Sequence, residues 1–268
     1  MKPLVFTLRS EPVERLDLSA LTPARLSDLS SAAIEKLAIG TTQRPLRVGD
    51  VFRLRDGDRS VIRFSGGSSR FDRIAMAMES GVIEVDGMVG REAGCGMRGG
   101  ALTISGAAGD YAASGARGGA IEIGGDCGDF LGAPLVGEME GINGGVVIVR
   151  GRAGHRACDR MRRGLVAVEK GAGEYAGSRM IAGTLVVAGP VGGFPGTMMR
   201  RGTIIMPALP EIAPTFLDCG ATPLGFTALY ATSLAARSPR AARLLRRALR
   251  RFGGDTATLG KGELLVPA

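Results

Sequence analysis

His155 is the chain's one histidine, and with Cys95, Cys127, Cys158 and Cys219 it makes up the stock of side chains that most often ligate soft metals or attack as nucleophiles. The cysteines form no C-x-x-C pair, so neither a zinc site nor an iron–sulfur cluster has its usual ligand spacing. They fit free thiols in a reducing compartment. His155 lies in a turn with Arg152 and Arg156, and no serine or cysteine is fixed beside it by sequence. That setting describes a surface residue better than a general base. No Walker loop and no H-E-x-x-H motif is present. G-x-x-G stretches are plentiful and invite reading as phosphate cradles, but they recur at a fixed interval, and a periodic feature needs a periodic explanation.

The interval is set by glycines that open short apolar runs, at Gly81, Gly100, Gly119, Gly145, Gly164, Gly183 and Gly202. The steps are 19, 19, 26, 19, 19 and 19 residues, and a weaker copy begins at Ser60. The second and fourth residues after each opening glycine are apolar, from Ile83 and Val85 to Ile204 and Met206. A period of two with many β-branched residues is a strand signature, and these positions share one face. Corner triplets follow: Gly87-Gly90-Gly94, Gly106-Gly109 with Ala113, Gly125-Gly128-Gly132, and Gly151-Gly154 with Cys158. Next come Gly173-Gly177, with Lys170 in the first place, and Gly189-Gly192-Gly196. Met97, Ala116, Ile142, Met161, Met180 and Met199 stand three before the next opening.

Nineteen residues are too few for a strand plus a return helix, and they suit one coil of a parallel β-helix. Glycine serves corners where backbones approach closely or φ is positive. The expected fold is mainly β: a right-handed parallel β-helix, a single-stranded solenoid of about seven to eight coils at ~4.8 Å each. Residues 1–60 form a small α+β N-terminal cap, 61–206 the repeat array, and 207–268 a C-terminal extended segment, basic helix and terminal strand. In the cap, Leu4–Leu8 and Val51–Leu54 read as strands, and Ser27 or Ser30 caps a short helix through Ala38. In the tail, Leu224–Leu234 reads as a first helix and Pro239–Phe252 as a clearer one, with Gly262–Val266 a closing strand.

The outward strand positions carry two charges, Glu84 and Glu122, which lie two coils apart, about 10 Å by strand spacing, and match a catalytic carboxylate pair poorly. A sheet face so poor in charge is expected to be covered. Val146, Ile148, Leu165, Val186 and Ile205 are the candidate partner face, with the chain's own C-terminal segment as the alternative cover. The long step places seven extra residues within 133–140, a loop whose Pro134, Glu138 and Glu140 are candidates for partner docking.

The formal charge is +8, but Arg237, Arg240, Arg243, Arg246, Arg247, Arg250 and Arg251 supply seven of those charges. Without them the balance is 27 basic to 26 acidic residues. The basicity is therefore one segment, a solvated helix face or a contact for an acidic partner or polyanion, and no nucleic-acid surface is expected. No apolar run approaches the length of a membrane span, and the first residues lack a secretory signal's apolar stretch. The expectation is a cytoplasmic protein without membrane association.

The repeated G-x-x-G-x-x-x-G, with strand runs between, resembles the C-terminal β-helix domain of the large chain of glutamate synthase. It is still more similar to the C-subunit of formylmethanofuran dehydrogenase. The lead-in LSSAAIEKLAIGTTQRPLRVGDVFRL resembles that family's N-terminal cap and the tail FGGDTATLGKGELLVP its ending, so the likeness spans nearly the whole chain. Alanine content and the arginine-rich segment resemble the bacterial, methylotroph-type branch, that of formyltransferase/hydrolase complexes. The resemblance implies a cytoplasmic hetero-oligomer of one-carbon metabolism that moves a formyl group from formyl-tetrahydromethanopterin to a methanofuran-type carrier and hydrolyses it to formate. It implies a non-catalytic scaffold subunit with no catalytic, cofactor-binding or metal residue of its own. The carrier, tetrahydromethanopterin and a hydrolase metal then belong to partner subunits, which are amidohydrolase-like, formyltransferase and carrier-binding. Three other readings stay open: the C-subunit of a redox formylmethanofuran dehydrogenase, an independent β-helix enzyme on a sugar or acyl substrate, and a basic module holding a polyglutamate-like anion on Arg240–Arg251.

Overall fold

The computed structural model describes residues 2–221 and 224–268. The chain is mainly β, and one 13-stranded sheet organises it. The N-terminal region supplies β1 (Pro3–Leu8), β2 (Leu16–Asp17), three short helices α1 (Pro23–Leu26), α2 (Ser31–Glu35) and α3 (Val48–Val51), then β3 (Phe52–Arg55). Next come β4 (Asp58–Ser65), β5 (Phe71–Asp72), β6 (Val82–Asp86), β7 (Ala101–Ile104), β8 (Arg117–Ile123) and β9 (Asn143–Val149). The array continues with β10 (Arg152–Ala153), β11 (Arg163–Val168), β12 (Gly171–Ala172), β13 (Thr184–Val187) and β14 (Arg201–Ile205). The tail holds β15 (Leu217–Ala221), α4 (Gly225–Leu234), α5 (Pro239–Leu245), β16 (Leu249–Gly254) and β17 (Lys261–Pro267).

From β6 to β14 each main strand pairs in parallel with that of the next repeat, at the offset read from the sequence. Ile83 pairs with Leu102, Leu102 with Ile121, Ile121 with Val147, and Val147 with Val166, so across the 26-residue step the core row stays in register, with an irregularity between Arg117 and Ala120 at the strand's start. Leu185 and Ile204 continue the row. All are at most 1% exposed, and Met97, Met161, Met180 and Met199 are fully buried in the same core. The register follows from this burial, since a slip of one residue would turn each apolar row to the opposite face. A second, shorter set of parallel bridges joins the repeats at Ala108, Cys127 and Ala153, and again at Ala172 and Val191.

The two ends are closed differently. At the first, β4 pairs with β6 at an offset of 21 residues, Val61 with Val82; β1 then runs parallel to β4 and β3 antiparallel to β1. Four of the chain's nine phenylalanines plug this end, with Phe6 stacked on Phe64 at 4.9 Å and Phe52 and Phe71 against them. The Ser30 hydroxyl caps α2 by accepting from the Ala33 N–H at 3.2 Å. This helix stops at Glu35, short of the expected Ala38, because Ile39 and Gly40 give their N–H groups to Leu46 O instead.

At the far end β17 lies parallel to β14, with Gly202 opposite Gly262 and Ile204 opposite Leu264. The closing strand is therefore one more rung of the array, reached after a 60-residue excursion. The expected helix Pro239–Phe252 is corrected: α5 ends at Leu245, and Leu249–Gly254 is a strand antiparallel to β17. Tertiary pairing overrides a run of good helix formers here, because β17 would otherwise end the sheet with an open row of backbone groups. Strand geometry also sends Leu249 and Phe252 to opposite faces, one to the helices and the other to the array's core.

The corner glycines lie in the turns between rungs. A Cβ on Gly109 would stand 2.8 Å from the backbone carbon and oxygen of Gly90 in the rung before. At the third corner place Gly177 has φ +68°, and Cys158 adopts φ +61° at the same place in its own repeat, as Ala113 does at +56°. That place therefore tolerates a small side chain at a cost, whereas Gly109 has no room for one.

Substitution should separate the two demands. Gly109→Ala is expected to destabilise by about 2–4 kcal/mol through backbone displacement. Gly115→Ala, where φ is +59° and nothing lies within 4 Å of the new carbon, is expected to cost only about 1–2 kcal/mol. Urea unfolding midpoints of the two variants check the order.

Candidate functional site

The charge-poor outer face of the later rungs is sealed by the chain itself. Ile148, Leu165, Ala167, Val186 and Ile205 are 0–6% exposed and pack against Ala231 and Leu234 of α4 and Ala241, Leu244 and Leu245 of α5, with Val146 partly buried at the margin. The expectation that Val146, Ile148, Leu165, Val186 and Ile205 form a partner face is corrected accordingly. A parallel sheet buries both faces, and here the tail supplies the second cover. Polar contacts fix the tail in place: the Ser238 hydroxyl donates to Glu169 at 2.7 Å, the Arg240 N–H donates to the same oxygen at 3.1 Å, and Arg237 pairs with Glu122 at 3.0 Å. Glu122 is thus a structural anchor and has no partnership with Glu84.

The C-terminal arginines are shared between a helix and a strand. Arg250 on β16 forks onto Asp218, and the guanidinium together with the Gly220 N–H holds that carboxyl below the ordinary carboxylate range. Arg251 on the same strand lies 3.1 Å from Glu263. Arg240 and Arg243 stand exposed on α5 with Arg246 and Arg247 just beyond it. The single basic helix read from the sequence is therefore divided between a short helix and a strand.

A different basic surface lies along the edge where each rung enters its strand. Arg98, Arg117, Arg162 and Arg200 each stand two residues before an opening glycine, and Arg163 and Arg201 one residue before. This signal was present in the spacing but is hidden in sequence by interruptions at Asn143 and Ile181. Loop 134–140 stands on the same edge, with Pro134 half-buried and Glu138 exposed. Glu140 forms an ion pair with Arg162. On one side of the loop lies a recess of about 480 Å³, bordered by Cys95, Arg98, Arg117 and Glu138. On the other lie two adjoining recesses of about 430 and 460 Å³, sharing Met139, Ile181, Arg200 and Leu259.

His155 has a structural role. Its N–H donates to Asp129 Oδ1 at 2.7 Å, and its Nδ1 accepts from the Glu174 N–H at 3.2 Å. Asp72 and Asp110 accept from later rungs in the same way, at 2.8 and 3.0 Å, so the histidine is one member of a column of side-chain acceptors. Cys95, Cys127 and Cys158 are buried; burial pushes the Cys95 thiol up to about 11, the Cys127 thiol to about 12, and that of Cys158 up as well. Among the described residues no three His, Cys, Asp or Glu side chains come together as metal ligands. Among them, too, no helix is long and apolar enough to cross a membrane.

No family model matches the chain. It is 50% identical over 262 residues to the C-subunit of the formyltransferase/hydrolase complex Fhc of Methylorubrum extorquens, covering 97% of this chain and 98% of that protein. Its structure is similar to a chain in the crystal structure of the formyltransferase/hydrolase complex FhcABCD from the same organism, in complex with methylofuran. The TM-score is 0.94 at 46% identity, covering 98% of this chain and 99% of that one.

Thiol chemistry tests the sealed face. In the native chain at pH 8, Cys219 alone is expected to react quickly, since it is the exposed cysteine. A cysteine in place of Ile148 should stay unlabelled in the isolated chain; rapid labelling there would show that α4 and α5 do not hold the face closed. The folded thiol of Cys95 titrates above its ordinary value of 9.0, so its contribution is complete below pH 9 and is lost as pH rises towards about 11.

Proposed function

The chain belongs to the family of C-subunits of formyltransferase/hydrolase complexes, and we propose that it acts as the assembly subunit of such a complex and carries no active site. The observation that carries this reading is the match over nearly the full length of both proteins, at 50% identity and with a TM-score of 0.94. The complex transfers a formyl group from formyl-tetrahydromethanopterin to a methanofuran-type carrier and hydrolyses it to formate. The hydrolytic complex is favoured over the redox formylmethanofuran dehydrogenase because both relatives come from the former.

Residues of this chain do not fit the hydrolase metal, since no three candidate ligands converge among the described residues. The metal, the carrier and tetrahydromethanopterin accordingly belong with the amidohydrolase-like, formyltransferase and carrier-binding partners in this reading, and the compartment is the cytoplasm. The division of Arg240–Arg251 between helix and strand weighs against an independent polyanion module there. The 19-residue register, with a second row of bridges, supports reading the array as a right-handed parallel β-helix with one coil per repeat. A crystal structure tracing the coil path checks it.

Purification through a tag on this chain, followed by native mass spectrometry, is expected to recover the other subunits of the complex. Recovery of the chain alone with intrinsic transferase or hydrolase activity would overturn the assembly reading. Within that reading the loop at 134–140 docks a partner, and its deletion should weaken recovery of at least one subunit about tenfold. Undiminished recovery of every subunit would remove the loop from the interface.

A further inference from the structure

The edge beyond loop 134–140 combines two features that seldom share a solvent-bathed surface. Arg160, Arg162, Arg163, Arg179, Arg200 and Arg201 border the adjoining recesses, which continue past Ile181 to Tyr230. Only Arg162 and Arg179 among them have an ion-pair partner among the described residues, namely Glu140 and the buried Asp159. The floor between the arginines is apolar. Met139, Met198 and Leu259 are 73%, 48% and 54% exposed, three of the eight large apolar side chains exposed among the described residues, and Ile181 lies among them. Methionine and arginine together, with lysine scarce, are what protein interfaces collect. A surface meant only for water would not cluster its exposed apolar side chains.

One side of the apolar floor is tied down by hydrogen bonds. Asp255, 2% exposed, accepts from the N–H groups of Met198 and Ala257 at 2.8 Å each, and the Thr258 hydroxyl donates to Met199 O at 2.6 Å. The turn carrying Leu259 is thereby tied to the last corner of the array.

The spacing defines an occupant. Arg162 and Arg163 enter one rung, Ile181 the next and Arg200 and Arg201 the one after, as the N–H bonds of Arg162 to Ile142 O, Ile181 to Met161 O and Arg200 to Met180 O show. Two rungs are about 10 Å, and a chain in the extended polyproline II form, with three residues per turn at ~3.1 Å each, covers about that distance in three residues and returns its side chains to the same face. Carboxylates three residues apart on such a segment therefore both face the two arginine pairs, and a residue between them projects to the side, where an apolar side chain meets Ile181 and Leu259. Glu140 already sets one carboxylate on Arg162 from within the chain. A bare polyanion would leave the apolar floor unused.

We propose that this groove docks an extended acidic segment of a partner subunit, in which two acidic residues three apart flank an apolar anchor. The proposal rests on the assembly reading above and names the partner chemistry of one face. The test uses the whole complex, with a photoreactive leucine analogue at Leu259 and, separately, the double variant R200E/R201E with R200K/R201K as its control. Cross-linking is expected to capture a partner-subunit peptide with that acid–apolar–acid pattern. R200E/R201E should bind that subunit at least tenfold more weakly, with less salt dependence than the unaltered chain, while R200K/R201K retains most of the binding. A cross-link to a neutral or basic peptide, to a non-protein polyanion, or to nothing would overturn the proposal, as would unchanged binding by R200E/R201E. If R200E/R201E fails to fold, the cross-link alone decides. Recovery of the unaltered chain without any partner would instead sink the assembly reading.

Discussion

The closeness with which one repeat lies on the next governs this molecule. Parallel pairing fixes the distance between rungs, and at the corners it brings backbone against backbone with no side chain between. Gly109 over Gly90 and Gly192 over the Glu174 amide leave no space for a Cβ. The glycines that resemble a phosphate-binding motif are thus consequences of stacking. The same spacing puts equivalent side chains in register, so an apolar position becomes a buried row and an acceptor position becomes a column.

That regularity also carries local strain, and the structure compensates for it in a periodic way. Tyr111, Phe130, Arg156, Tyr175 and Phe194 have positive φ at equivalent places in their repeats. Their side chains stack along the edge, Tyr111 on Phe130 at 4.8 Å and Tyr175 on Phe194 at 5.9 Å, with Arg156 over the Tyr175 ring at 5.2 Å. Contacts between neighbouring rungs offset a backbone conformation that costs about 1–2 kcal/mol per residue. A single repeat would have no such compensation, so the array is stable only as an array.

Each open end and face of the sheet then has to be closed, and the chain uses what the repeat lacks. Phenylalanines plug the first end, the β15–β16–β17 meander finishes the last, and α4 and α5 cover the outer face from Ile148 to Ile205. What stays exposed is the edge where arginines enter the rungs, interrupted by loop 134–140. On the assembly reading proposed above, such remaining surfaces are what the chain offers its complex.

The repeat, its strands and its register were legible in the sequence because burial on one face and glycine at the corners impose period and residue type together. The inward rows, the methionines and the loop's insertion point all follow from that. Even the extra rung was written there, since Gly262 is followed by Leu264 and Val266 as every opening glycine is followed by its own apolar pair. The choice of cover for the outer face was not legible, because low charge says that a surface is buried without saying whether a partner or the chain's own tail buries it. The tail's helix was misread past Leu245 because residues 246–252 have helical composition but Leu249–Phe252 meet an unpaired strand, and pairing outweighs propensity. Only the tertiary structure could bring Met139 and Leu259 to Arg162 and Arg200, since the two arginines share a place in the repeat whereas the loop and the tail turn lie outside it.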